Sequence, residues 1–137
     1  MLVRAVQEPI ALVDARNVLR SRWPNLREDW FLERTRAWAE REGVQALVVF
    51  DGRAPAWEDD ELMTVEGTVG ESADDRIAAE AARLAAEGYR VWAVTSDRGL
   101  RARVKPHAER VIGGGTFAGA LGFPAPGDGR RARRPSG

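Results

Sequence analysis

Cysteine is absent from this sequence, and lysine and histidine occur once each, as Lys105 and His107. The lack of cysteine excludes a disulfide framework, a thiol nucleophile and thiolate zinc sites, and it agrees with a cytoplasmic location. Because His107 follows Pro106 near the start of a predicted strand, it is better interpreted as a surface residue than as the base of a serine triad. The sequence has no run of about 18 apolar residues and no charged-then-apolar leader, so we expect neither a membrane span nor a signal peptide.

The chain as a whole also lacks an excess of either charge, since 21 basic residues balance 21 acidic ones. Residues 124–137 hold four arginines and one aspartate, which leaves a net charge of −3 on residues 1–123. All basic residues but one are arginine, whose planar fork suits phosphate, but a GC-rich genome produces the same bias. Charge totals therefore do not identify a nucleic-acid partner. The Pro, Gly, Arg and Ser composition of 124–137 predicts a disordered tail behind a single domain, 1–123.

Apolar patterning divides the domain into alternating strands and helices. Strands are predicted at 9–14, 44–51, 61–66, 89–95 and 108–112, and helices at 26–42, 73–87, 97–104 and 117–121, with a loop or short helix at 16–25. Asn25 is the predicted N-cap of the first long helix, and Gly43 ends it. The alternation predicts an α/β three-layer sandwich, in which a central, mainly parallel sheet of about five strands has helices on both faces.

Three of the predicted strands run into an aspartate. The first leads into Asp14, the second into Asp51, and the fourth reaches Asp97 through Thr95 and Ser96. Because the carboxyl ends of parallel strands share one edge, where open α/β sheets bind their ligands, we expect these side chains to lie close together. Taken singly, each aspartate is equally well explained as a cap of the following helix. Their joint occurrence favours a site.

A further acidic group, Glu71 with Asp74 and Asp75, opens the second long helix. The helix dipole favours acids in a first turn, and for Asp75 that explanation suffices. Asp14, Asp74 and Asp97 together suit Mg²⁺ or Mn²⁺, because these hard cations prefer oxygen ligands and keep several waters. Clustered carboxylates repel one another, so the site stays anionic only with a cation present. One such ion, or two about 4 Å apart, activates water and clamps a scissile phosphate.

Polar residues next to these aspartates are candidates for substrate contacts. Asn17, one helical turn beyond Asp14, is expected to orient a ligand carboxylate or to touch phosphate. Thr95 and Ser96 are expected to donate hydrogen bonds beside Asp97.

Four short motifs occur in order within residues 10–112. They are Val13-Asp14-Ala15-Arg16-Asn17-Val18, Val49-Phe50-Asp51, Glu71-Ser72-Ala73-Asp74-Asp75-Arg76-Ile77 and Val94-Thr95-Ser96-Asp97. As a set they resemble the motifs of NYN domains, in particular the YacP-like branch of the PIN-like nuclease superfamily. The resemblance implies a PIN-like fold and metal-dependent endonucleolytic cleavage of RNA.

The same resemblance assigns roles to individual positions. It implies that Asp14, Asp74 and Asp97 are the catalytic, metal-binding carboxylates. Its lesser site members are Asp51, as a further metal ligand, Asn17, as a substrate contact, and Glu71 with Asp75, as a secondary site.

The chain departs from the family motif at Ala15 and Arg16, which replace the usual Gly and Tyr. Arg16 places a cation close to the expected metal pocket. Two interpretations stay open: Arg16 holds an RNA phosphate, or it neutralises Asp14 and weakens the enzyme.

RNA contacts outside the aspartates are expected from basic side chains, and stacking on two loop tryptophans is a less favoured alternative. Arg98 and Arg101, on a short basic helix, are expected to hold the RNA backbone together with Arg16. Trp23 and Trp57 fall in loops near the expected active edge, where a base can stack on them. The other tryptophans on apolar stripes, Trp30, Trp38 and Trp92, are predicted core residues.

Other chemistries fit less well. A haloacid-dehalogenase-type phosphatase needs a second aspartate two residues after the first, where this chain has Arg16. A receiver domain needs an acidic pair near its first strand and a downstream lysine, and a P-loop needs a Gly-Lys motif that is absent. Gly113-Gly114-Gly115 lacks the full dinucleotide fingerprint and is interpreted as a turn.

We therefore predict a metal-dependent ribonuclease with RNA as its partner and Mg²⁺ or Mn²⁺ as its cofactor. Two alternatives stay open: a non-catalytic RNA-binding module with the same fold, and a toxin-type PIN ribonuclease with an antitoxin partner. The RNA target, a ribosomal or protein partner and the oligomeric state are also left open.

Overall fold

A computed structural model describes residues 7–123, so the predicted tail 124–137 lies outside the described residues. The chain forms five strands and five helices. The strands are β1 (Ile10–Asp14), β2 (Gln45–Phe50), β3 (Met63–Gly67), β4 (Val91–Val94) and β5 (Arg110–Ile112). The helices are α1 (Ala15–Leu19), α2 (Glu28–Glu42), α3 (Ala73–Ala86), α4 (Arg98–Val104) and α5 (Gly114–Ala120).

All five strands are parallel and lie in the order β3-β2-β1-β4-β5, which confirms the predicted α/β class. The chain builds outward from β1 to β3, returns to the other side of β1, and continues through β4 to β5. The strand order therefore reverses between β1 and β4, where Val13 is paired with Val94. Crevices at such a reversal are where open α/β sheets bind ligands. Asp14 and the residues after Val94 lie at this point.

The sheet is covered on both faces. In β1, Ala11 and Val13 belong to the apolar cluster that includes α1, α2 and α5, whereas Leu12 belongs to the cluster of α3 and α4. This alternation is the two-residue period of a strand, with both faces buried because helices lie on each side. The central strand is thus held rigidly, and its last residue has little freedom to move.

Some details differ from the sequence predictions. The N-cap of α2 is Arg27, in extended conformation and without a side-chain cap bond, so the prediction for Asn25 is wrong. Gly43 does end the helix, in the left-handed region at φ 70°. Trp38 and Trp92 are buried as predicted, while Trp30 is only partly buried. Thr35 is also buried, because it lies on the face of α2 that packs against the sheet.

No helix within residues 7–123 combines the length and the apolar composition needed to cross a membrane.

Candidate active site

Asp14 ends the central strand and is the most buried of the candidate carboxylates, with 7% of its surface exposed. Its Oδ2 accepts a 2.9 Å hydrogen bond from Oγ1 of Thr95, a fully enclosed residue just after β4. Burial raises the pKa of Asp14, the Thr95 hydrogen bond opposes that rise, and the charges of Asp74 and Asp97 add to it. Asp14 therefore lies within electrostatic reach of both other aspartates.

Asp74 lies in the first turn of α3, which is capped by Ser72: the Ser72 Oγ accepts a 3.0 Å hydrogen bond from the Asp75 backbone N–H. Partial burial and the neighbouring charge of Asp97 raise the pKa of Asp74, and Arg103 lowers it. The helix dipole explains an acid at this position. The pKa of Asp74 is nevertheless raised, first by burial and then by the charge of Asp97.

Asp97 is the N-cap of α4, and its Oδ1 accepts a 2.8 Å hydrogen bond from the backbone N–H of Leu100. Its own backbone N–H donates to Thr95 Oγ1 at 3.1 Å. The other carboxylate oxygen makes no hydrogen bond to any residue in 7–123. Asp97 is therefore able to cap α4 with one carboxylate oxygen and to serve the candidate site with the other.

Asp51 follows β2 and joins it to α3, since its Oδ1 accepts a 3.0 Å hydrogen bond from the backbone N–H of Ala73. The backbone carbonyl of Asp51 accepts a 3.0 Å hydrogen bond from Arg16 Nε, and the Arg16 guanidinium lies 5.9 Å from the ring centre of Phe50. Arg16 is thus held beside β2 and forms no ion pair with Asp14. The interpretation in which Arg16 neutralises Asp14 by direct pairing is not supported.

The side chain of Asn17 is hydrogen-bonded to the loop that follows β4. Its Oδ1 accepts a 2.8 Å hydrogen bond from the backbone N–H of Ser96, and the Ser96 Oγ accepts a 2.7 Å hydrogen bond from the backbone N–H of Gly114. A Cβ at Gly114 would lie 2.4 Å from Asn17 Oδ1. The glycine run is therefore where α5 packs closely against Asn17.

These residues line one cleft of about 230 Å³ at the carboxyl end of the sheet. Its lining consists of Asp14, Arg16, Asn17, Arg20, Asp51, Ser72, Ala73, Asp74 and Asp97. The structure thus brings together the three predicted aspartates, Asp51 and Asn17 from four separate parts of the chain.

Other predicted residues lie outside the cleft. Glu71 and Asp75 are exposed, and Asp75 forms a 2.9 Å ion pair with Arg103. Arg98 and Arg101 line a different groove beside α4. Trp23 is 88% exposed, as a stacking residue needs to be.

Two polar lining residues, Arg20 and Ser72, were not predicted from the sequence as members of the site. Arg20 lies one helical turn after Arg16, and this four-residue spacing on a short helix is the signal that points to it. Ser72 stands three residues before Asp75 in a capping pattern, which places it at the open end of α3.

The described residues provide no cage made of protein ligands alone for a divalent cation. Within residues 7–123, no group of three or more histidine or acidic side chains is arranged to hold a metal ion by itself. Mg²⁺ is usually bound by one or two carboxylates, several waters and substrate phosphates, without an all-protein cage. Burial is the main cause of the raised pKa values of Asp14 and Asp74, and the charges of the neighbouring aspartates add to it, so negative charge is concentrated in this cleft. The donor set therefore fits a hydrated hard cation.

The sequence matches no protein-family model and no curated protein. Its structure does match Rae1 (YacP) from Bacillus subtilis, with a TM-score of 0.65 and 22% identity over 82% of this chain and 72% of that one. The W164L mutant of the same protein matches with a TM-score of 0.66 and 21% identity, over 82% and 74% of the two chains. This chain has the YacP fold. The PIN-like α/β architecture predicted from the four motifs is thereby confirmed.

Proposed function

We propose that this protein is a metal-dependent endoribonuclease. The observation that carries the proposal is the convergence of Asp14, Asp74 and Asp97 on one cleft, where burial and mutual repulsion raise the pKa of the first two. A cluster of like charges without a structural ion-pair partner costs stability, and such sites are typically functional. RNA as the substrate follows from the motifs shared with NYN domains.

Each side chain has a role that its position supports. Asp14, Asp74 and Asp97 would bind a hydrated Mg²⁺ or Mn²⁺, one or two of them directly and the rest through its waters, and Asp51 would assist through the carboxylate oxygen that does not cap α3. A bound ion would activate water and neutralise charge on the scissile phosphate. Arg16 and Arg20, at the border of the same cleft, would hold phosphate oxygens.

Thr95, Ser96 and Asn17 position these groups. Thr95 orients Asp14 and also accepts the hydrogen bond from the Asp97 backbone, so it ties the ends of β1 and β4 together. Asn17 holds the Ser96 backbone in place, and its amide nitrogen remains to contact substrate. We interpret the three as positioning residues of the site.

The test is cleavage of a 5′-labelled single-stranded RNA by the purified chain in EDTA, Mg²⁺ or Mn²⁺. We expect cleavage only with a divalent ion, and a loss of about 100-fold or more in Asp97→Asn, since that side chain would meet the reacting groups. Asparagine keeps the Oδ1 acceptor that caps α4, so the fold should persist. Glu33→Gln, on the exposed face of α2 and outside the cleft, is the matched control and should cleave at a rate close to that of the wild type.

The outcome also separates the alternatives. RNA binding without cleavage under any divalent ion would contradict the proposal and favour a non-catalytic binding module. Growth arrest on expression in cells, relieved by Asp14→Asn, would favour a toxin-type ribonuclease with an antitoxin partner.

A further inference from the structure

One face of α4 carries three cations that the active-site cleft does not use. Arg98, Arg101 and Lys105 are spaced by three and four residues, which places them on a single stripe of the helix. Together with Ala102 and with Val111 of the edge strand β5, they line a groove of about 310 Å³. The groove therefore has basic walls and two small apolar side chains.

The positive charge of this groove is not neutralised within the described part of the chain. Arg103, on another side of the same helix, is paired with Asp75 at 2.9 Å. Arg98, Arg101 and Lys105 form no ion pair with a carboxylate of residues 7–123. In a protein with no net charge, such a local excess marks a surface suited to an anionic partner.

The groove and the cleft have no lining residue in common, but chain adjacency and a hydrogen bond link them. Arg98 follows Asp97 directly, and Arg101 Nη1 donates a 2.9 Å hydrogen bond to the backbone carbonyl of Thr95, whose side chain holds Asp14. From Arg98 to Lys105 the helix rises about 10 Å, which is long enough for more than one backbone phosphate. A strand cleaved at the aspartates would thus pass along this helix.

We propose that the groove formed by Arg98, Arg101 and Lys105 binds the phosphates of a single-stranded RNA segment flanking the cleaved bond. The proposal rests on the proposed nuclease function and adds the direction in which the strand leaves the cleft. A row of cations on one helix face suits successive phosphates of a single RNA strand. Ala102 and Val111 supply apolar contact for the sugars.

The test uses the double variant Arg98→Ala/Lys105→Ala, which leaves the Arg101 contact with Thr95 intact. For an RNA of about 12 nucleotides we expect KM to rise about tenfold at unchanged kcat, and the slope of log K against log salt to fall by about 1.4. A trinucleotide too short to leave the cleft should be cleaved equally by both proteins. Arg83→Ala/Arg90→Ala removes the same charge from exposed ion pairs elsewhere and should leave KM unchanged.

Normal cleavage of the long RNA by the double variant would overturn the proposed RNA-binding role of the groove and leave the nuclease proposal intact. If the wild type cleaves no RNA, the nuclease proposal fails, and salt-dependent binding of labelled RNA still tests the groove. Equal binding by the double variant would then overturn it. Displacement of RNA by polyglutamate as effectively as by unlabelled RNA would also overturn it, in favour of an acidic protein partner.

Discussion

The hydroxyl of Thr95 donates a 2.9 Å hydrogen bond to Oδ2 of Asp14 across 81 residues of sequence. It lowers the pKa of this buried carboxyl more than the backbone hydrogen bond from Asn17 does, whereas burial and the charges of Asp74 and Asp97 raise that pKa. The bond therefore decides how readily Asp14 is available as a carboxylate at the carboxyl edge of the sheet.

Thr95→Val removes this donor with little change in volume. We expect the pKa of Asp14 to rise further, so that the acidic limb of the pH–rate profile moves to higher pH. The free energy of unfolding should fall by about 1–2 kcal/mol, since the Asp97 backbone N–H also loses its acceptor. The profile is measured with labelled RNA and stability by urea denaturation.

Thr35→Val is the matched control. Thr35 is fully buried in α2, and its hydroxyl has no hydrogen-bond partner in the described chain. Its replacement should leave the pH profile in place and change stability by no more than about 0.5 kcal/mol, or increase it. An acidic limb that stays fixed in Thr95→Val would contradict the proposed role of the hydroxyl.

Asp74→Asn should stabilise the metal-free protein at neutral pH. Burial and the charge of Asp97 raise the pKa of Asp74 above its ordinary value of 3.8, so the folded chain binds this proton more tightly than the unfolded chain. Stability from this group is therefore present below that value and is lost as pH rises through the folded-state pKa. We expect Tm in EDTA to rise by a few degrees (about 2–4 °C) at pH 7, and the gain to shrink toward about pH 4.

Glu33→Gln removes an equal charge from an exposed position of α2 outside the cleft, and it should leave Tm nearly unchanged. Calorimetry with and without Mg²⁺ adds a second readout, because the ion should stabilise the wild type more than Asp74→Asn. A lower Tm for Asp74→Asn at pH 7 would mean that the helix dipole outweighs carboxylate crowding.

Gly114→Ala tests the close approach of α5 to Asn17. The new Cβ would lie 2.4 Å from Asn17 Oδ1, so one of the two must move, and we expect a loss of about 1–3 kcal/mol. Gly115→Ala is the control, because its Cβ would lie 3.7 Å from the nearest atom, on Arg22, which is ordinary contact. Within a helix that change should be neutral or stabilising by up to about 1 kcal/mol. Equal effects of the two substitutions in thermal melts would refute the packing explanation.

Asp51 has a structural role that can be separated from metal binding. Asp51→Asn keeps an oxygen to accept from the Ala73 backbone, so stability should persist, whereas Asp51→Ala should lose about 1 kcal/mol. If the free carboxylate oxygen assists a cation, Asp51→Asn should still weaken Mg²⁺ affinity, by less than Asp97→Asn. Calorimetric titration with Mg²⁺ measures both, and unchanged affinity would restrict Asp51 to capping α3.

The sequence by itself determined the layered architecture and the shared edge of the aspartates. Apolar runs such as Ile10–Val13 are typical of strands buried on both faces, and parallel strands deliver their terminal residues to one side. For this reason the sequence alone predicts that Asp14, Asp51 and Asp97 lie together. The motif around Asp74 predicts that this residue joins them. In the structure α3 begins at the same edge and places Asp74 in its first turn.

Only the tertiary structure decided which oxygen atoms are free and which side chains face the cleft. Asp75 forms an ion pair with Arg103. Arg16 donates a hydrogen bond to the backbone carbonyl of Asp51, and Arg101 donates one to the backbone carbonyl of Thr95. Each outcome depends on a competition between local hydrogen bonds, burial and charges brought from distant positions. A linear pattern records which residue types are present at the edge of the sheet, whereas side-chain direction and protonation depend on neighbours that exist only after packing.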